Sequence, residues 1–243
     1  MVAVARSCSP FTVSLLPCCE RPRRNTNVTL EVEKRAAKSG RADSLVIFVH
    51  GYGADGHDLI GLADPLAEHL PNTTFLSPHA PNPCTMSPMG REWFPIPMID
   101  NSSVEQMRAG MQASVARFNE WMDAEFVAEG ITPDRTVLVG FSQGTMMSLH
   151  VGPRRAHQLA GIVGFSGRLL EPETLAAEAV TKPPVLLVHG DMDMVVPPSD
   201  MPKAEVALKD ASFDVQTHVS HGTGHGIAPD GLGLALQFIQ NWL

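Results

Sequence analysis

Apolar and polar positions along this chain fall into short runs of two kinds, separated by longer stretches of helical period. Val28-Thr-Leu-Glu-Val-Glu33 alternates with period two and predicts a half-exposed edge strand. Ser44-Leu-Val-Ile-Phe-Val-His50 is apolar without interruption, which predicts a strand covered on both faces. A helix is expected over 58–70 and a short strand over 73–76. An irregular, proline-rich stretch then runs from Ser77 to Asp100 and encloses Arg91-Glu-Trp-Phe94. Ser102-Ser-Val-Glu105 has the form of a capping box. Val104, Met107, Met111, Val115, Phe118, Met122 and Phe126 follow at three- and four-residue steps, a long amphipathic helix that Gly130 closes. Further strands are predicted over 135–141, 159–165, 184–189 and 213–219. Helices are predicted after Ser142 and over 173–180, 202–210 and 232–243. Strands alternating with helices imply an α/β fold, a mostly parallel sheet with helices on both faces.

Composition narrows the class. A chain of 243 residues, 44% hydrophobic and 18% charged, is suited to one domain with a large core, expected over 28–243. A formal charge of −8 offers no basic field for nucleic acid. No apolar run is long enough to span a bilayer, so stable membrane insertion is not expected. Residues 1–27 differ from the rest: Arg6, Arg21, Arg23 and Arg24 lie there with a single acid, Glu20, and with Cys8, Cys18 and Cys19. They read as a leader outside the fold, with organellar import left open. The cysteines lack the spacing of a zinc or redox pair, and Cys84 stands alone in the body, which favours a reducing, cytoplasmic setting.

Gly140-Phe-Ser-Gln-Gly144 is a glycine-flanked serine at a strand-to-helix corner. Chance produces this pattern in roughly one such chain in ten, so its context must decide. In a parallel sheet, ligands bind beyond the carboxyl ends of the strands. Those ends carry His50-Gly-Tyr-Gly53, Ser142, His189-Gly-Asp-Met-Asp193 and His221-Gly-Thr-Gly-His-Gly226. A hydroxyl, a carboxylate and an imidazole thus reach one rim in the order Ser, Asp, His, the order of the α/β-hydrolases. Ser142 is the expected nucleophile; Ser166, at another strand end in Gly164-Phe-Ser-Gly167, lacks the second glycine at the right spacing and the helix-starting residues after it. Asp193 is favoured as the acid because Asp191, next to Gly190, is better placed to brace the loop. His225 is favoured as the base, with His221 the alternative. No carboxylate or histidine cluster shows metal-site spacing, and no cofactor is expected.

The segments Phe48-Val-His-Gly-Tyr-Gly53, Arg91-Glu-Trp-Phe94, Gly140-Phe-Ser-Gln-Gly144, His189-Gly-Asp-Met-Asp-Met-Val-Val-Pro197 and Gly224-His-Gly226 resemble the phospholipase/carboxylesterase family of α/β-hydrolases, which includes the acyl-protein thioesterases. The resemblance implies Ser142 as nucleophile, Asp193 as acid and His225 as base. It also implies an oxyanion hole from the backbone N–H groups of Tyr52 and Gln143, and a substrate groove near Trp93. Phe94 and Met194 are expected to line the same groove. Tyr52 stands where the eukaryotic thioesterases usually have leucine. The expected function is a serine carboxylesterase acting on small or lipid-like acyl esters or thioesters. The alternatives are a lysophospholipase, an acyl-protein thioesterase, a dienelactone-hydrolase-like enzyme or a non-catalytic binding module. A homodimer is compatible with this pattern.

Overall fold

In the computed structural model, which describes Met1 and residues 30–243, seven strands form one sheet. The leader with its three cysteines, and the first two residues of the predicted edge strand, lie outside the described residues. In chain order the elements are β1 (Val32–Arg35), β2 (Ser44–Val49), α1 (Gly56–Ile60), α2 (Ala63–Ala67), β3 (Thr73–Pro78), β4 (Asn82–Pro83), β5 (Arg91–Glu92), α3 (Pro97–Asp100) and α4 (Val104–Glu129). They continue with β6 (Thr136–Phe141), α5 (Gln143–Arg154), β7 (Gly161–Phe165), α6 (Pro172–Glu178), β8 (Val185–Gly190), α7 (Asp200–Asp210), β9 (Val215–Ser220) and α8 (Pro229–Trp242). The sheet order is β1-β3-β2-β6-β7-β8-β9, and every pairing is parallel except β1 with β3.

The uninterrupted apolar runs sit where both faces are covered. Leu45, Ile47 and Val49 of β2 pack with Phe118, Trp121 and Met122 of α4 and with Met147 of α5. Val46 and Phe48 of the same strand point the other way, to Leu59, Leu66, Phe238 and Ile239 of α1, α2 and α8. Period-two geometry sends adjacent side chains to opposite faces, so a central strand must be apolar at every position.

Three local expectations differ from the structure. The helix expected over 58–70 is two short helices, α1 and α2. Pro65 has no N–H to continue a helix through Gly61, so a new helix starts at Ala63 with the proline in its first turn. The first strand is shifted toward the C-terminus, to Val32–Arg35, because its partner is the end of β3, with Val32 opposite Pro78. The capping box is one residue later than the sequence suggests. Ser103 Oγ accepts from Gln106 N at 3.2 Å and Gln106 Oε1 accepts from Ser103 N at 2.7 Å. Ser102 N is instead held by Asp100 Oδ1 at 3.0 Å, after Asn101 has turned into the left-handed region. Gly130 closes α4 at φ 68, as a left-handed cap. Among the described residues no helix is long and apolar enough to cross a membrane.

Candidate active site

The parallel strands β2, β6, β7, β8 and β9 end on one rim, and the candidate residues follow those ends. Ser142 stands between β6 and α5 at φ 54, ψ −115, a region costly for a residue with a Cβ. The two flanking glycines allow that corner. A Cβ on Gly144 would fall 1.7 Å from Val49 O, and one on Gly140 2.5 Å from Gly144 O. Ser142 N donates to Phe165 O at 2.9 Å, which ties the corner to β7. The serine keeps 9% of its surface accessible. The turn after β2 lies against it, since a Cβ on Gly51 would be 3.3 Å from Ser142 Cβ.

Asp193 is buried and its carboxylate is fully engaged. Oδ1 accepts from the N–H groups of Val195 and Val196 at 2.8 and 2.9 Å, and Oδ2 lies 2.7 Å from His225 Nδ1. Burial by itself would raise this carboxyl. The hydrogen bonds from His225 and from the Val196 and Val195 amides outweigh it and hold the group below its ordinary value. An ionised Asp193 takes the Nδ1 proton as a hydrogen bond, which leaves the lone pair of His225 on Nε2. The imidazole rests 4.9 Å, centroid to centroid, from Phe141, the residue before Ser142.

The competing pair is separate. His221 Nδ1 lies 2.8 Å from Asp191 Oδ2, and Asp191 Oδ1 accepts from Gly222 N at 2.7 Å. The His221 side chain is 84% exposed, against 19% for His225, so only one of the two pairs is sheltered from solvent. Ser166 is buried at φ 47, with its Oγ donating to Gly226 O at 3.5 Å, a contact that fixes the residue after His225.

Trp93 and Phe94, expected in the substrate groove, turn inward. Both are buried, at 0% and 2% exposure. Trp93 packs edge-on to Phe118 at 5.2 Å and its indole Nε1 donates to His50 O at 3.0 Å, so the ring belongs to the core beneath the rim. Met194, on the turn that carries Asp193, is 94% exposed and does stand at the surface.

Three contributors escaped the reading of the sequence. The Gln143 side chain is buried and holds the backbone of the 93–94 segment from both ends. Its Oε1 accepts from Trp93 N at 2.9 Å and its Nε2 donates to Phe94 O at 2.7 Å. His189 Nε2 lies 3.0 Å from Val196 O and 3.2 Å from Asp193 Oδ2, a second imidazole against the same carboxylate. Its place four residues before Asp193 was the available signal. His50 donates from Nδ1 to Gly51 O at 2.8 Å and accepts at Nε2 from Ala80 N at 3.0 Å. This fixes the turn bearing Tyr52. Burial pulls the His50 imidazole down to about 4, so it stays neutral.

Comparison with known proteins adds the context. A family model described as phospholipase/carboxylesterase matches residues 30–243. Acyl-protein thioesterase 1 of Gibberella zeae is 32% identical over 212 residues, covering 82% of this chain and 90% of that protein. Among solved structures, esterase PE8 is 41% identical with a TM-score of 0.84, covering 89% of this chain and all of that one. SOBER1 of Arabidopsis thaliana is 25% identical with a TM-score of 0.72, over 82% of this chain and 99% of its own.

Proposed function

We infer the reaction from the fact that this chain belongs to the phospholipase/carboxylesterase family of α/β-hydrolases: it is a serine hydrolase acting on carboxylic esters or thioesters. In this reading His225 Nε2 takes the proton of Ser142 Oγ as that oxygen attacks the acyl carbon. Asp193 keeps the imidazole in its Nδ1–H form and stabilises the imidazolium. The backbone N–H groups of Gln143 and Tyr52 receive the oxyanion of the tetrahedral intermediate. His225 then returns the proton to the departing alcohol or thiol, and water, deprotonated by the same imidazole, releases the acid from the acyl-enzyme. The relatives named acyl-protein thioesterase favour a thioester among the substrates. The exposed Met194, beside Asp193, is assigned to the acyl chain, with Trp93 and Phe94 as the buried floor beneath the site.

One observation supports this reading most. Asp193 and His225 form a sheltered pair that leans on Phe141, next to a serine held in a strained corner. The test is labelling with a fluorophosphonate probe together with hydrolysis of p-nitrophenyl acetate. Ser142→Ala is expected to abolish both. His225→Ala is expected to lower the rate by about three orders of magnitude or more, whereas His221→Ala stays within about tenfold of the parent. Full activity in Ser142→Ala, or equal losses in the two histidine variants, would overturn the assignment.

A further inference from the structure

Three side chains of metal-ligand type, far apart in sequence, converge at the β1 edge of the sheet. Glu33 stands on β1, His57 in α1, and His79 directly after β3. Glu33 Oε1 is 3.5 Å from His57 Nδ1 and 3.5 Å from His79 Nε2. One ligand atom from each of the three residues lies within 4.8 Å of the other two. No sequence pattern points to this group, because its members come from three elements and share no spacing.

The separations are informative. The other imidazole–carboxylate pairs among the described residues are closer: His225–Asp193 at 2.7 Å, His221–Asp191 and His218–Asp230 at 2.8 Å each, and His189–Asp193 at 3.2 Å. Both gaps to Glu33 are wider than that. Ligands about 2.0–2.1 Å from a tetrahedral zinc ion stand about 3.3 Å from one another, close to the spacing seen here. The two rings meet edge to face, with centroids 5.1 Å apart and planes at 79°, so that both converge on one carboxylate oxygen.

The backbone holds these groups together without an ion. His79 N donates to Glu31 O at 2.8 Å, and β1 pairs with β3 so that Glu33 faces Ser77. Gly56 presses α1 onto the end of β3, where a Cβ would fall 2.5 Å from Ser77 O and 3.0 Å from the His79 ring. His57 N is held by the N-cap Asp55 at 2.8 Å.

We propose that Glu33, His57 and His79 form a site for a divalent first-row transition ion, zinc being the best match to two imidazoles and one carboxylate. Water would complete the coordination, since no fourth histidine, cysteine, aspartate or glutamate joins the group among the described residues. His79 Nδ1 now accepts a long hydrogen bond from Gly56 N at 3.3 Å, which puts the ring proton on Nε2. On binding, the ion takes the Nε2 lone pair, the ring proton moves to Nδ1, and the Gly56 contact is given up. That loss keeps the affinity below that of a closed structural zinc site. The bound ion would fasten α1 to β1 and β3, and it does not depend on what reaction Ser142 performs.

The experiment is calorimetric titration of the full chain with zinc chloride, with Cys8, Cys18 and Cys19 first alkylated so that their thiols do not compete, Cys84 being buried. The same samples are examined with cobalt(II), whose visible absorption reports nitrogen and oxygen coordination. The proposal expects one ion whose affinity falls at least about tenfold in His57→Ala, His79→Ala and Glu33→Gln, and stays unchanged in His221→Ala. His57 is exposed, so His57→Ala keeps the fold and keeps the test decisive if a variant at the half-buried His79 does not fold. No binding by the parent chain, or the same affinity and cobalt spectrum in His57→Ala as in the parent, would overturn it.

Discussion

The Gln143 amide bonds both its ends to a segment that lies about fifty residues earlier in the chain, at Trp93 N and Phe94 O. Nothing in Gly-Phe-Ser-Gln-Gly reveals those partners, because the pattern describes a local corner and the contacts are long-range. The same segment carries Arg91, whose carbonyl accepts from Gly53 N at 2.9 Å and whose N–H donates to Ala54 O at 2.7 Å. Gln143 therefore links its own backbone to the turn bearing Tyr52. Gln143→Met keeps the backbone N–H and the volume but leaves two buried backbone groups unpaired, at about 1–3 kcal/mol each. Urea unfolding should report that loss, and kcat should fall about ten- to a hundredfold while KM changes little. His50 makes a second prediction. Its folded pKa of about 4 lies below the ordinary 6.5, owing first to burial; the hydrogen bond to Gly51 and the charge of Asp55 oppose the shift, and His79 and Arg91 add to it slightly. A depressed folded value gives stability that is complete above pH 6.5 and is lost as pH falls toward 4, about 3 kcal/mol in all. Urea unfolding at pH 7, 5.5 and 4 should show a flatter profile for His50→Gln than for the parent. At this scale loop position sets Asp193 and His225 apart from Asp191 and His221, and the structure pairs Asp193 with His225 and Asp191 with His221. The burial of Trp93 was not legible, since a proline-rich stretch has no period from which to read a face.

The turns after β8 and β9 act as one unit because Asp191 and His221 stitch them together, with Met192 N donating to Thr223 O at 3.0 Å between the two aspartates. The exposed pair is a brace for the sheltered one. Asp191→Ala removes the acceptor for both His221 and Gly222 and should lower kcat several-fold by loosening the turn that carries His225. Its effect on stability should stay within about 1 kcal/mol, since exposed ion pairs contribute little. Steady-state kinetics alongside thermal unfolding separate the two effects, and added salt should weaken the brace in the parent. Element existence was legible throughout from period and from uninterrupted apolar runs. Boundaries were less so: the start of α4 was decided by which serine found its partner three residues on, and the division of α1 from α2 by one missing N–H at Pro65.

Across the whole molecule apolar clusters cover both faces of the sheet, and one of them lies directly under the 93–94 segment. Trp93, Phe118 and Trp121 form a continuous aromatic stack under the 93–94 segment, with centroids 5.2 and 5.7 Å apart along it. On the opposite face Phe48 and Phe75 stack at 6.0 Å. Phe118→Ala and Phe75→Ala should each cost about 3–5 kcal/mol. At a temperature where both variants remain folded, Phe118→Ala should also lose activity and Phe75→Ala should not. Differential scanning calorimetry and initial rates on the same samples would show the asymmetry. That two-faced plan was readable from β2, which is apolar at every position from Leu45 to Val49. Which core would carry the site was not, because sequence order does not say on which side of the sheet a helix returns.

The pairing of β2 with β6 has a consequence for how the protein is made. Leu45 lies opposite Thr136 and Val49 opposite Gly140, so the seam under Ser142 joins strands with β3 and all of α4 between them in the chain. A parallel seam of that span is slow to close, because the intervening chain must be ordered before the pairing can form. During synthesis β2 therefore waits, uninterruptedly apolar and with one edge unpaired, until β6 has left the ribosome. In that interval it is the segment most exposed to association with other chains and to holding by a chaperone.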